Sequence, residues 1–223
     1  NRLTGRIPSA IGSLLKLQRL RMGINSITGT LPSQMGRLSK LVALEFQFNS
    51  IQGSVPLEVC SLTNLVTLNI PSNCFSGSLP SCIGCLIALP SLQFNNNRIT
   101  GTIPSSIGCL TNLVSLGGDN NRLRGSVPSS IQSLVKLSYV NLALNSLDGS
   151  IPSSIGSASN LAYVYVYSNC LVGSIPTSIG HLSKLAVLNV GTNSITGCVP
   201  SAIGLLTNLV TLDAGYNSLS GSI

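Results

Sequence analysis

Asparagine returns every 24 residues along this chain, at Asn1, Asn25, Asn49, Asn73, Asn97, Asn121, Asn145, Asn169, Asn193 and Asn217, with no slip of register. Proline keeps the same period from Pro8 to Pro200. Nine full units occupy residues 1–216, and a partial tenth runs from Asn217 to Ile223. A period of this length constrains the fold more than any local signal. It marks a solenoid, in which one unit has no interior of its own and stacked units share a core.

With each Asn as position 1, apolar residues hold positions 3, 7, 11, 14, 17, 20 and 22; in the sixth unit these are Leu123, Val127, Ile131, Leu134, Leu137, Val140 and Leu142. Positions 20 and 22 alternate as a strand does. Positions 11, 14 and 17 are near helical but span too little chain for an α-helix, which points to short 3₁₀ turns. Position 5 is always Gly, as a tight turn or a positive φ requires. Position 8 is always Pro, which has no N–H to give. The Asn stands where the chain leaves the strand. There its amide can donate and accept toward the backbone of neighbouring coils, so Asn25, Asn49, Asn73, Asn97, Asn121, Asn145, Asn169 and Asn193 are read as a structural ladder.

The segment LSYVNLALN, Leu137 to Asn145, fits LxxLxLxxN and resembles the leucine-rich repeat; LDGSIP, Leu147 to Pro152, resembles the addition that marks its 24-residue plant-type subclass. The resemblance covers all 223 residues. It implies an α/β solenoid: a right-handed superhelix with a concave parallel β-sheet, 3₁₀ segments on the convex side and a second minor sheet. Members of that subclass include receptor-like kinase ectodomains and polygalacturonase-inhibiting proteins. The chain is read as a single solenoid and as a fragment lacking both caps, since no capping segment flanks the repeats.

Strand positions 19, 21 and 23 face away from the core. This places Tyr139, Asn141, Tyr163, Tyr165, Tyr167 and Asn189 on the concave face as candidate ligand contacts. Four of the five Tyr fall in two adjacent coils. Arg19 and Arg21 form a second, basic patch; residues 1–40 hold seven basic side chains and no acid, whereas the remainder balances. The concave acids Glu45, Asp119 and Asp213 stand three and four strands apart, roughly 14 and 19 Å, too far for paired acid–base work. His181 lies on the opposite face. The reading is therefore a non-enzymatic module for a peptide or protein partner, with no cofactor, no metal and no nucleic acid. The alternatives are an inhibitor of a cell-wall-degrading enzyme, contacting it through the basic end, and an ice-binding solenoid using the hydroxyls at position 6, which run from Thr30 to Ser174 and recur at Ser222.

No apolar run approaches the roughly 18 residues of a membrane span. The resemblance implies an extracellular or cell-surface location; the lack of any Asn-x-Ser/Thr sequon leaves a cytoplasmic one as the alternative. The chain has seven Cys. Cys60, Cys82, Cys85 and Cys109 fall on the convex side of three successive coils and are read first as free thiols, next as a Cys85–Cys109 disulfide, and last as a zinc site. Two units break pattern: Gly118 at a core strand position is expected to leave a thin spot, and Ala158 at position 14 to thin the convex side of the seventh coil.

Overall fold

The computed structural model describes residues 1–221. Nine three-residue strands, from Arg19–Arg21 through Tyr139–Asn141 and Tyr163–Tyr165 to Thr211–Asp213, form one parallel sheet in strict chain order. Its register follows the repeat, with Tyr139 paired to Tyr163 and Leu20 to Leu44. Beneath the sheet the leucine columns are almost wholly buried, and Phe46, Phe75 and Phe94 are the largest fully buried side chains. This is the leucine-rich-repeat architecture.

On the flank, the residues around the positive-φ Gly form two-stranded parallel pieces, such as Thr4–Arg6 with Ser26–Thr28, and isolated bridges at Ser78–Thr100 and Ser150–Val172. These pairs are offset by 22 residues, not 24. The coil is therefore skewed, and a residue on the flank or the convex side meets a different position of the next unit. Position 5 shows both uses of glycine. Nine of these residues have φ between +69° and +86°, while Gly149, outside that region, needs the space because a Cβ there would lie 2.7 Å from the Ser126 Cα.

Nine 3₁₀ segments among the described residues make the convex side. In most units an extended Pro precedes the segment and its carbonyl accepts the first N–H, as from Ile11 to Pro8 at 3.0 Å. Eight segments have five residues; the fourth, Ile83–Cys85, has three. That interruption sits at a covalent bridge. Cys60 and Cys82 are joined by a disulfide, with Cα atoms 5.9 Å apart, while Cys85 and Cys109 are free and exposed. This corrects both the free-thiol reading for Cys60 and Cys82 and the Cys85–Cys109 alternative. The skew is the reason: position 12 of one coil faces position 10 of the next. Elsewhere in that column Gly predominates, with Gln132 as another exception.

The same contact gives a paired prediction. A Cβ on Gly108 would stand 2.7 Å from both the carbonyl oxygen and the Cβ of Ser130, whereas one on Gly204, at the same position of the ninth unit, would meet nothing within 4 Å. Gly108→Ala is expected to lower stability by about 1–3 kcal/mol through overpacking. Gly204→Ala should be neutral or slightly stabilising. Urea midpoints of the two variants check this, and equal shifts would contradict the facing of positions 12 and 10.

The thin spot expected at Gly118 does not form. The space above Gly118 is taken by Phe94 of the preceding coil, whose ring would stand 2.6 Å from a Cβ on Gly118. Ala158 is fully buried. A small internal cavity of about 20 Å³ lies among Val140, Ile155, Val164 and Val166, where Val140 and Val164 stand in a strand column that leucine fills in the other units.

Candidate functional site

Burial alternates along the sixth and seventh strands as a one-sided sheet requires: Val140 and Val164 are 2% exposed beneath it, and Tyr163 is 43% exposed above. Pairing sets Tyr139 against Tyr163, and Tyr165 between Asn141 and Asn189. The rings converge across the strands. The Tyr139 centroid lies 6.3 Å from that of Tyr163 and 5.9 Å from that of Tyr165, with ring planes tilted by 48° and 51°. Tyr167 follows just beyond the strand end and is half-buried.

Asn141 and Asn189 have a local task as well. The Oδ1 of Asn141 accepts the N–H of Ala143 at 3.2 Å, and that of Asn189 accepts the N–H of Gly191 at 3.1 Å. Each carbonyl thus fixes the turn that leaves its strand, and each amide NH2 stays on the concave side, that of Asn141 toward Tyr139. All six of the tyrosine and asparagine positions read from the sequence lie within three adjacent strands and the residues that follow them.

Asp119, read from the sequence only as too distant for acid–base work, stands one coil away. Burial raises its pKa above the ordinary carboxylate value, opposed by a hydrogen bond from its own backbone. Burial likewise raises the Tyr139 phenol; a hydrogen bond from the Asn141 side chain opposes the rise, and the charges of Asp119, Tyr165 and Tyr167 add to it. Asp119 and the tyrosines therefore share one electrostatic neighbourhood. The signal for this was present in the sequence as an outward position 23 next to the tyrosine coils.

The basic patch is less basic than its composition implies. The Arg21 Nε donates to Glu45 Oε1 at 2.8 Å across paired strands, leaving Arg19 exposed and unpaired among the described residues. The first two coils balance part of their own charge, and five strands separate Arg21 from the Tyr139 strand's neighbour at Tyr163–Tyr165, with Tyr139 one strand nearer.

A groove of about 670 Å³ lies elsewhere. It runs along the flank of the third to fifth coils beside the shortened 3₁₀ segment, lined by Ser54, Pro56, Ser78, Pro80, Thr102 and Pro104 among others. It holds no charged or aromatic side chain. The position-6 hydroxyls from Thr30 to Ser174 are all exposed on that flank, and Ser222 lies outside the described residues.

A Leucine Rich Repeat family model matches residues 64–86 and 89–110. No curated protein matches the chain in sequence. Among solved structures, a TDR receptor is 32% identical with a TM-score of 0.95, covering 100% of this chain and 39% of its own. The Arabidopsis receptor kinase HAESA, in complex with the peptide hormone IDA and the co-receptor SERK1, is 32% identical with a TM-score of 0.96, covering 100% and 37%. A plant ice-binding protein, 24% identical with a TM-score of 0.69 over 99% and 78%, shares the fold. The chain thus spans less than two fifths of the two receptor chains it matches. It contains leucine-rich repeats, and its fold is that of plant receptor-kinase ectodomains.

Proposed function

We propose that the chain is a non-enzymatic recognition module that binds a peptide or protein on its concave face, in an extracellular or cell-surface setting. The observation that carries this is the converging group of Tyr139, Tyr163 and Tyr165, confined to two coils of a sheet otherwise faced with small and polar residues. Tyrosine offers large contact area at little rotamer entropy and a hydroxyl for hydrogen bonding, which is why it concentrates at binding hot spots. Cross-strand packing accounts for Tyr139 on Tyr163, at roughly 0.2–1 kcal/mol, but not for Tyr167 beyond the strand. The likeness to HAESA, whose structure holds a peptide hormone, supports the same class of partner. The Cys60–Cys82 disulfide supports an oxidising compartment.

The test is selection of binders from a displayed random-peptide library on the intact protein, followed by Tyr165→Ala. The variant is expected to lose about 30-fold or more in affinity, a hot-spot effect of about 2 kcal/mol, with its thermal midpoint little changed. Unchanged affinity would end the reading.

Two further readings rest on particular observations. An inhibitor of a cell-wall-degrading enzyme would use Arg19 and Arg21, and charge reversal at both should abolish inhibition of a pectin-degrading enzyme. The Arg21–Glu45 pair weakens that patch. Ice binding would use the seven exposed hydroxyls from Thr30 to Ser174 and would show as slowed ice recrystallisation.

A further inference from the structure

The protein carries a net charge of +7, yet its concave face has the opposite sign. From the second coil to the ninth, the outward positions 19, 21 and 23 hold Glu45, Asp119 and Asp213 and not one Lys or Arg. The cations of the later coils stand off the sheet: Arg98, Arg122 and Arg124 at positions 2 and 4, Lys136 and Lys184 at position 16. Both lysines are engaged there, donating to Asn112 and Asn160 Oδ1 at 2.7 and 2.6 Å.

The three acids differ in what surrounds them. Glu45 is held by Arg21. Asp213 is exposed, and its Oδ1 accepts the N–H of Gly215 at 3.1 Å. Asp119 is half-buried, forms no ion pair among the described residues, and lies close enough to Tyr139 for its charge to act on the phenol. A carboxylate partly removed from water without a counter-ion is held at a cost that an incoming cation removes.

The ground between Asp119 and the tyrosines is low. Ser115 and Gly117 face outward there, and the Gln93 side chain lies across Gly117, where a Cβ would stand 2.9 Å from its Cδ. Gln93 Nε2 donates to Ser91 and Ser115 Oγ at 3.1 and 2.9 Å, while its Oε1 accepts nothing among the described residues. A step lined by a carboxylate, a spare amide oxygen and tilted phenol rings has acceptors and π-faces. Beyond the phenol hydroxyls and the Asn141 and Asn189 amides, it has few donors. A guanidinium or ammonium matches that set, because it donates to oxygens and is attracted to aromatic faces within about 6 Å.

We propose that the concave face of the fourth to seventh coils receives an arginine or lysine side chain of a peptide partner, with Asp119 as its counter-ion, Gln93 Oε1 as a second acceptor and Tyr139, Tyr163 and Tyr165 as its aromatic wall. This rests on the recognition reading and specifies the partner's chemistry. The net positive charge of the rest of the molecule then selects against long polycationic segments and favours an isolated basic residue among neutral ones.

The experiment uses the same displayed random-peptide library on the intact wild-type protein and on Asp119→Asn. Peptides selected by the wild type are expected to be enriched in a single Arg or Lys. Replacing that residue by Gln in a synthetic copy, or Asp119 by Asn in the protein, should each weaken binding about tenfold or more, and the two changes together should cost little beyond either alone. The Asp119→Asn protein should melt no lower than the wild type, since Asp119 makes no side-chain bond to another residue among those described. Selected peptides that need Tyr165 but show no basic enrichment would overturn this inference and leave the recognition reading standing. So would unchanged affinity for Asp119→Asn. Peptides indifferent to Tyr165 would overturn both.

Discussion

Reducing the Cys60–Cys82 disulfide is expected to lower the protein's stability by about 3 kcal/mol, the loop-closure value for a ring of 22 residues. The ring matters because of what it encloses. It closes one whole turn of the solenoid, containing the strand Thr67–Asn69 and the ladder residue Asn73, a polar residue buried in the core. In a stack where each coil contacts only its neighbours, a covalent tie between adjacent coils suppresses fraying at that junction. Urea unfolding of oxidised and reduced protein, and of Cys60→Ala with Cys82→Ala, should agree in the loss. Cys85→Ser and Cys109→Ser should not change the midpoint by more than about 0.5 kcal/mol, as exposed substitutions. A non-reducing peptide map should show Cys60 linked to Cys82. A Cys85–Cys109 crosslink in its place would refute the pairing.

That bridge also shows where sequence reading stops. Counting in units of 24 places Cys85 over Cys109, and on the concave sheet such counting holds, as Tyr139 against Tyr163 demonstrates. On the flank and the convex side the stack is offset by 22, as in Thr100 against Arg122, and this offset brings Cys60 to Cys82. A periodic sequence reports which residues repeat but not the skew between successive turns. The tyrosine cluster was legible as a position because it lies on the face where period and register coincide. Asp119 was legible as a position but not as a neighbour, because its burial depends on the turn that follows the strand.

Two further features needed coordinates for a different reason. The residue before each ladder Asn, among them Ile24, Phe48, Leu144 and Thr192, has φ between 52° and 56°. β-branched and bulky residues are unfavourable in that left-handed region, so propensity argues against it. The ladder on one side and the sheet on the other override the local preference. Gly118 illustrates the same lesson in packing: volume missing from one coil is supplied by Phe94 of its neighbour.

The ladder supplies the second large effect. The amide of Asn121 accepts the N–H of Ile99 at 2.9 Å and donates to the carbonyls of Phe94 at 3.1 Å, Gly118 at 3.2 Å and Asp119 at 3.3 Å. Asn97 donates to the same Phe94 oxygen at 3.0 Å, so the two lone pairs of each strand-end carbonyl are matched by two successive Asn. The pattern recurs at Phe46, where Asn49 and Asn73 donate at 3.0 and 2.9 Å, and at Val190, where Asn193 and Asn217 both donate at 3.0 Å. Asn121→Ala removes this junction from three successive turns and leaves the Ile99 N–H without a partner. The expected cost is about 1–3 kcal/mol for that orphaned group, and Ala cannot recover it because the site is too enclosed for full hydration. Asn1→Ala is the control: the Asn1 side chain is exposed and makes no hydrogen bond among the described residues, its ammonium reaching Ile24 O at 3.4 Å. Denaturant melts should therefore separate the two variants, with Asn1→Ala within about 0.5 kcal/mol of the parent protein. Equal losses at both sites would mean that the Asn column stabilises each coil by itself, and that the amides do not couple one coil to the next.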